Sequence, residues 1–556
     1  MVVPLVVLAL LLAFPAGAQA GNETWSTPSS LTTPPPGKRL NLETVLAKGE
    51  ATKTVKEMRR KYPALRALGY LDKSTGNWLI RYVIPSKELV EVDIDDASGQ
   101  VTDVWTGPQV LWGMARGESG AFGRKLNAPY LWLPLCLLFI LPFFDPRRPF
   151  RLLHLDLLVM LGFGVSHFFF NRAAISASTP LAYPVLAYLL VRAAMIGFRP
   201  RKRPGPLVPL VPIRWLAPGL VFLVGFRIGL NAFDSNVIDV GYAGVVGADR
   251  IADGDGLYGA GFSGDVGHGD TYGPLNYLLY VPFEQALPWG GSWDGLPAAH
   301  GAAVAFDLLT LGGLLLLGRR LRPGAEGRML GLALAYAWVA YPYTAFALES
   351  NSNDTLVGLF CVAALLALTL EPVKRTGSAL LRGAAVGAGA AAKFAPLALA
   401  PLFAAGTGRR RAGELVPFAL GLAAVVAVTT LPLLPDGGLR ELYDRTVGYQ
   451  VGRPSPFSLW GQAPSLDWLQ TAVKAAAGGL ALLVAFVPRR RDARQLAALG
   501  AAVLIALQLG MSHWFYLYVV WFTPFVLVTV LGALGSSAGP PDQTQPAARP
   551  AELVPA

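Results

Sequence analysis

From residue 128 onward the chain is a succession of apolar runs. They lie near 128–144, 153–170, 179–197, 208–231, 298–317, 329–348, 355–371, 413–434, 469–487, 495–511 and 514–533. Each is close to the ~20 residues that cross ~30 Å of hydrocarbon as a helix. Only 15% of the 556 residues are charged and 53% are hydrophobic, with mean hydropathy +0.44. Soluble domains average about 25% charged residues, so a soluble enzyme and a disordered chain are both excluded. The fold class is a polytopic α-helical membrane protein with about eleven full spans. Its 61 Gly and 44 Pro are tolerated in transmembrane helices.

Residues 380–406 form a shorter apolar pair broken at Lys393-Phe394-Ala395-Pro396. The pair is too short to cross twice and reads as a re-entrant hairpin, a shape tolerated only where protein or a watery cavity covers it. The positive-inside rule gives one register. Every loop assigned to the cytoplasm carries a basic pair or triplet: Arg147-Arg148, Arg201-Lys202-Arg203, Arg319-Arg320, Lys374-Arg375, Arg409-Arg410-Arg411 and Arg489-Arg490-Arg491. The outer loop 232–297 holds one basic residue, Arg250. The net charge of +11 therefore marks topology and phospholipid contact, not a nucleic-acid face. Cys136 and Cys361 both lie in apolar runs, which leaves neither a disulfide framework nor a CxxC metal site.

Residues 1–20 end in Ala18-Gln19-Ala20 and read as a signal peptide, with an uncleaved first helix as the alternative. Residues 21–38 are a Ser/Thr/Pro linker. A small extracytoplasmic α+β domain follows at 39–107. A helix is expected over 41–61, then strands from Trp78 to Ile84, Leu89 to Ile94 and Val101 to Trp105, the last two joined by Asp95-Asp96-Ala97-Ser98-Gly99. The stretch Val90–Gly107 resembles the PepSY-type module of extracytoplasmic proteins. Residues 128–206 form three accessory transmembrane helices and 207–535 the main membrane domain. The tail, 536–556, is Pro/Ala-rich, disordered and cytoplasmic.

Two outer loops are too long for connectors. The first, 232–297, carries Asp234, Asp239, Asp249, Asp253, Asp255, Asp265, Asp270, Glu284 and Asp294. The second, 435–468, carries Arg440, Arg445 and Arg453 with Tyr449, Phe457 and Trp460. Acids on one loop and cations with aromatic rings on the other suit a sugar–phosphate reaction. A carboxylate takes a hydroxyl proton, cations hold phosphate and rings face the sugar. The five histidines lack metal-ligand spacing. Asp253-Gly254-Asp255 offers at most a loosely bound divalent ion, and no cofactor is expected.

The stretch Ile238-Asp239-Val240-Gly241-Tyr242-Ala243, running to Gly254-Asp255-Gly256-Leu257-Tyr258, resembles the first outer loop of GT-C glycosyltransferases. More narrowly it resembles family 87, the polyprenyl-phosphate-mannose-dependent mannosyltransferases. Tyr272-Gly273-Pro274-Leu275-Asn276-Tyr277, with Gly273 replacing the usual Pro, Asn351-Ser352-Asn353-Asp354 and Ala392-Lys393-Phe394-Ala395-Pro396-Leu397 continue the resemblance in order over roughly 207–533. It implies a glycosyltransferase acting on the outer face of the plasma membrane. A hexose, mannose above all, would pass from a polyprenyl-phosphate sugar donor to a lipid or glycan acceptor. Asp239 would be the base, with a solvated loop acid as the alternative. Lys393, otherwise a snorkelling lysine, and Arg453, otherwise a loop arginine near headgroups, would hold the lipid phosphate. Tyr242, Tyr258, Tyr272 and Asp354 would line the substrates; helix capping is the sober alternative for Asp354. A flippase of lipid-linked sugars and a non-catalytic sensor or assembly protein are the rival readings.

Overall fold

The computed structural model describes residues 25–533 except 73–75, 86, 121, 200–214, 260–261, 263–267, 292–295, 372, 409–411 and 454. The expected signal peptide and tail, Asp265, Asp294 and the clusters Arg201–Arg203 and Arg409–Arg411 lie outside the described residues.

The N-terminal part is an antiparallel sheet of β1 (Trp25–Ser26), β2 (Arg66–Asp72), β3 (Trp78–Ile84), β4 (Lys87–Ile94) and β5 (Val101–Thr106), in that spatial order. Two helices, α1 (Leu42–Ala51) and α2 (Lys53–Lys61), cover it. Leu42, Val45 and Val55 meet Trp78, Ile80, Tyr82, Val90, Val92 and Ile94 in one apolar core. The single helix expected over 41–61 is in fact two. Thr52 is extended, and its hydroxyl accepts a bond from the Val55 N–H, capping α2. Strand β2 escapes the alternation test because two of its inward positions are the small Ala67 and Gly69, while Leu68 and Tyr70 face outward. The turn after β4 is tied down by Asp96, whose carboxylate accepts from the Trp78 indole and from the Arg39 and Leu40 N–H groups.

The membrane part begins with α3 (Pro129–Ile140), α4 (Leu152–Phe170), α5 (Ile175–Phe198) and α6 (Leu216–Asp234). A helix outside the spans, α7 (Asp239–Asp253), follows. Then come α8 (Pro297–Leu321), α9 (Gly324–Ala340), α10 (Pro342–Glu349), α11 (Thr355–Leu368), α12 (Arg375–Ala392) and α13 (Ala412–Thr430). The last three are α14 (Asp467–Leu483), α15 (Ala493–Gly510) and α16 (Val519–Leu531). Among the described residues, six helices are long and apolar enough to cross a membrane: α4, α5, α6, α8, α13 with its extension, and α15. The run expected as one span at 329–348 is the pair α9 and α10, bent by 58°. Pro342 at the bend lacks the N–H that would continue the ladder. The runs near 128–144, 355–371 and 514–533 form helices shorter than a full span. At 350–354 and 511–515 the backbone leaves the helix to carry side chains into the interior. Ser350 to Asp354 are all buried, so the irregular backbone is covered by protein.

The hairpin rises as α12, breaks at Lys393, and returns through a 3₁₀ turn and a short helix, Ala400–Ala405. From Arg382 to Lys393 the helix climbs about 16 Å at ~1.5 Å per residue. The return leg comes back to the starting level, because the Arg382 guanidinium donates to the Phe403 carbonyl at 2.7 Å. Arg491 donates to the Gly406 carbonyl at the same end. The rising leg lies directly on α13. A Cβ on Gly383 would stand 2.0 Å from the Phe418 carbonyl oxygen, and one on Gly421 2.0 Å from that of Leu380. Only glycine permits this approach, which fixes the height of the hairpin tip against its neighbour.

Candidate active site

Four chain segments meet at the hairpin tip. The turn 350–354 enters between α10 and α11. The Asn236 and Ile238 N–H groups donate to the Glu349 and Ser350 carbonyls, at 3.2 and 3.0 Å. Asn351, in the left-handed region at φ 47° that Asn tolerates, donates to the Asn236 carbonyl at 2.9 Å. These bonds place Asp239 at the first residue of α7, where a carboxylate suits the helix dipole. Its side chain accepts from the Val240 N–H at 2.8 Å.

Asp354 opens α11 but makes no capping bond. The capping alternative therefore falls. One carboxylate oxygen accepts from the Lys393 ammonium and from the Trp521 indole at 2.7 Å, the other from the Ser352 hydroxyl. Lys393 is 5% exposed, so it is no snorkelling lysine. Its ammonium lies 5.2, 5.8 and 5.6 Å from the ring centres of Tyr272, Tyr518 and Trp521. A cation in such a box gains from the ring faces. The ammonium has three N–H groups, and the carboxylate takes one, leaving donors for a second anion. Tyr272 reaches the tip because Gly273 lies on the hairpin. Its N–H donates to the Ala392 carbonyl at 3.2 Å, and a Cβ there would stand 2.0 Å from the Ala391 oxygen.

Arg453 approaches from the second loop. Its guanidinium stacks 4.5 Å from the ring centre of Trp112 and 5.9 Å from that of Tyr449. His513, held by the Ser455 hydroxyl at 2.8 Å, completes the wall. Burial, then the charges of Arg453 and Lys393, hold its imidazole well below the usual range, so it stays neutral. Burial lifts the Asp239 carboxyl above the ordinary carboxylate range, while Arg453 and Lys393 pull it part of the way back. A carboxylate tuned upward in this way is a better proton acceptor near neutrality. If Asp239 must be ionised for reaction, activity falls as pH drops through this raised pKa. The acidic limb of a kcat/KM profile is then expected above the ordinary aspartate value of ~3.9. A limb at or below that value would remove Asp239 from the proton-accepting role.

Other expected site residues lie elsewhere. Tyr242 is buried in the cluster beneath the first loop, its ring edge-on to Trp289. Tyr258 is a strut, its hydroxyl donating to the Tyr272 carbonyl at 2.9 Å. Both belong to the buried cluster that α7 forms with the rest of the first loop and the start of α8. Asp255 follows Gly254 at the end of α7, its carboxylate 4.0 Å from the Arg250 guanidinium. Asp234 pairs with Lys125, and Asp270 pairs with Arg445, which joins the two outer loops. Trp460 bonds the Leu509 carbonyl. Among the described residues no group of three His, Cys, Asp or Glu side chains is arranged to hold a metal.

Trp112, Tyr518, Trp521, Ser352 and His513 were not anticipated. A signal existed for two: Tyr518 and Trp521 are three residues apart at the start of an apolar run, on one helix face.

The sequence profile described as glycosyltransferase family 87 matches residues 271–512. Over that stretch the chain resembles the family, and the matched segment carries Tyr272, Asp354, Lys393 and Arg453; Asp239 precedes it. The fold is similar to the crystal structure of ArnT from Cupriavidus metallidurans bound to undecaprenyl phosphate, with TM-score 0.39 and 17% identity, over 58% of this chain and 60% of that one. The chain thus spans less than two thirds of that protein's length. No curated protein sequence matches the chain. Within the membrane part, the resemblance to glycosyltransferase family 87 thus rests on residues 271–512.

Proposed function

We propose that the protein transfers a hexose, of mannose type, from a polyprenyl-phosphate sugar to a lipid or glycan acceptor on the outer face of the plasma membrane. The observation that carries this reading is the buried Lys393, paired with Asp354 among three aromatic rings, close enough that its charge and that of Arg453 act on the Asp239 carboxyl. A charged pair inside a membrane-spanning fold is expensive and marks a functional site by default. Asp239 accepts the proton of the acceptor hydroxyl. The oxygen forms a bond to the anomeric carbon, and the bond from that carbon to the phosphate oxygen breaks. The electron pair leaves with polyprenyl phosphate, whose charge Lys393 and Arg453 stabilise. Tyr272, Tyr518 and Trp521 offer faces to the sugar.

The test is purified protein with radiolabelled polyprenyl-phosphate hexoses, scored for transfer to membrane lipids or glycans. No transfer from any of them would sink the reading. The outward orientation of the site, with the N-terminal domain outside and the tail inside, has its own test. Leu439→Cys, exposed beside the second loop, is expected to react with an impermeant thiol reagent on intact cells, and Gly408→Cys to remain unlabelled. The reverse pattern would invert the topology.

A further inference from the structure

The N-terminal module reaches the charged pocket. Strand β5 leads into a short helical turn, Pro108–Leu111, and then directly to Trp112. Trp112 lies edge-on to Phe457, with ring centres 5.3 Å apart, and 5.4 Å from the His513 ring. On this ring the Arg453 guanidinium rests at 4.5 Å. The connector is fastened at both ends. On the module side, Arg116 pairs at 2.7 Å with Glu91 of β4, which is 3% exposed, and donates to the Gln109 carbonyl. On the membrane side, the Gly123 N–H donates to the Asn236 side chain, three residues before Asp239, and the Lys125 N–H to Asp234. Gly117, at φ 76°, lies against the backbone of Asn171 and Ala173, where an added Cβ would meet the Asn171 oxygen at 3.0 Å.

We propose that Trp112 is a positioning residue for the donor phosphate. It holds the Arg453 guanidinium in place, so that the connector fastened to the module supplies part of the site's framework. The described contacts of that guanidinium are two aromatic rings, and Trp112 is the nearer. A loop arginine that rests on a ring face is held in orientation while its N–H groups stay free to meet an anion. The proposal rests on the reading of Arg453 as a phosphate ligand.

The experiment compares donor KM and kcat of the full chain, with a radiolabelled polyprenyl-phosphate hexose, for the wild type, Trp112→Ala, Trp112→Phe, Arg453→Ala and the double variant Trp112→Ala/Arg453→Ala. Trp112→Ala is expected to raise donor KM about 3- to 30-fold, the scale of a partly desolvated cation–π contact, with kcat within about 2-fold. Trp112→Phe keeps a ring face and is expected to recover most of the affinity. The double variant is expected to be no worse than Arg453→Ala alone, because a residue that acts through another loses its effect when that other is gone. An unchanged KM in Trp112→Ala, or additive losses in the double variant, would overturn the proposal while leaving Arg453 as a ligand. An unchanged KM in Arg453→Ala would instead defeat the underlying reading of Arg453, and the role of Trp112 with it. A Trp112→Ala protein too unstable to assay leaves the decision to Trp112→Phe and the double-variant comparison made on it: wild-type-like KM supports the proposal, and loss of affinity equal to that of Arg453→Ala overturns the ring-face account.

Discussion

Asp239→Asn is expected to lower turnover at saturating donor by about 10²–10⁴-fold, the usual cost of losing a general base. The substitution keeps the size of the side chain and its bond from the Val240 N–H, so the start of α7 is undisturbed. Donor affinity is expected to survive, since the carboxylate serves the acceptor hydroxyl and not the phosphate. Asp234→Asn and Asp253→Asn are controls for the charge of the first loop. Asp234 is engaged by Lys125, and Asp253 ends α7 away from the pocket. Turnover in Asp239→Asn equal to these controls would show that the base is another residue. If no carboxylate of residues 232–297 affects transfer, the glycosyltransferase reading itself fails.

Lys393 carries the second large effect, and it divides into two parts. Lys393→Ala leaves the Asp354 carboxylate buried with only the Trp521 and Ser352 donors. Removing one partner of a buried pair costs about 3–5 kcal/mol. Lys393→Met together with Asp354→Asn removes both charges at similar volume and is expected to restore most of that stability. Donor binding is not expected to return with it, because the cation is gone. Lys393→Arg, which retains a charge, is expected to bind donor better than Lys393→Ala does. Thermal unfolding and donor affinity measured on the wild type and these three variants separate the parts. Recovery of donor binding in the uncharged double variant would reduce Lys393 to a structural role.

Legibility in the sequence follows the range of the interactions. Apolar runs report burial residue by residue, so the positions of most membrane helices can be read directly. Their ends are harder, because Ser350–Asp354 and Met511–Phe515 leave the helix for side-chain contacts with distant segments. Lys393 stands out because a charge inside an apolar break is expensive. Asp354 reads as a helix cap until its partners are known, and those lie 39 and 167 residues away. Tyr242 and Tyr258 fit a motif but are absorbed by the packing of α7, a tertiary outcome that local spacing does not encode. Trp112 belongs to a connector whose composition is unremarkable. Its value lies in where β5 delivers it, and only the folded chain brings it to Arg453.

The bond from Trp521 to Asp354 has a consequence for biosynthesis. A ribosome delivers the chain from its N-terminus, and earlier segments settle first. Asp354 and Lys393 emerge close together, but the indole that covers their pair belongs to α16 and is made later. Until α16 packs in place, an ion pair destined for the interior has an open side. During synthesis, therefore, the Asp354–Lys393 pair lacks its indole cover until the segment that carries Trp521 is in place.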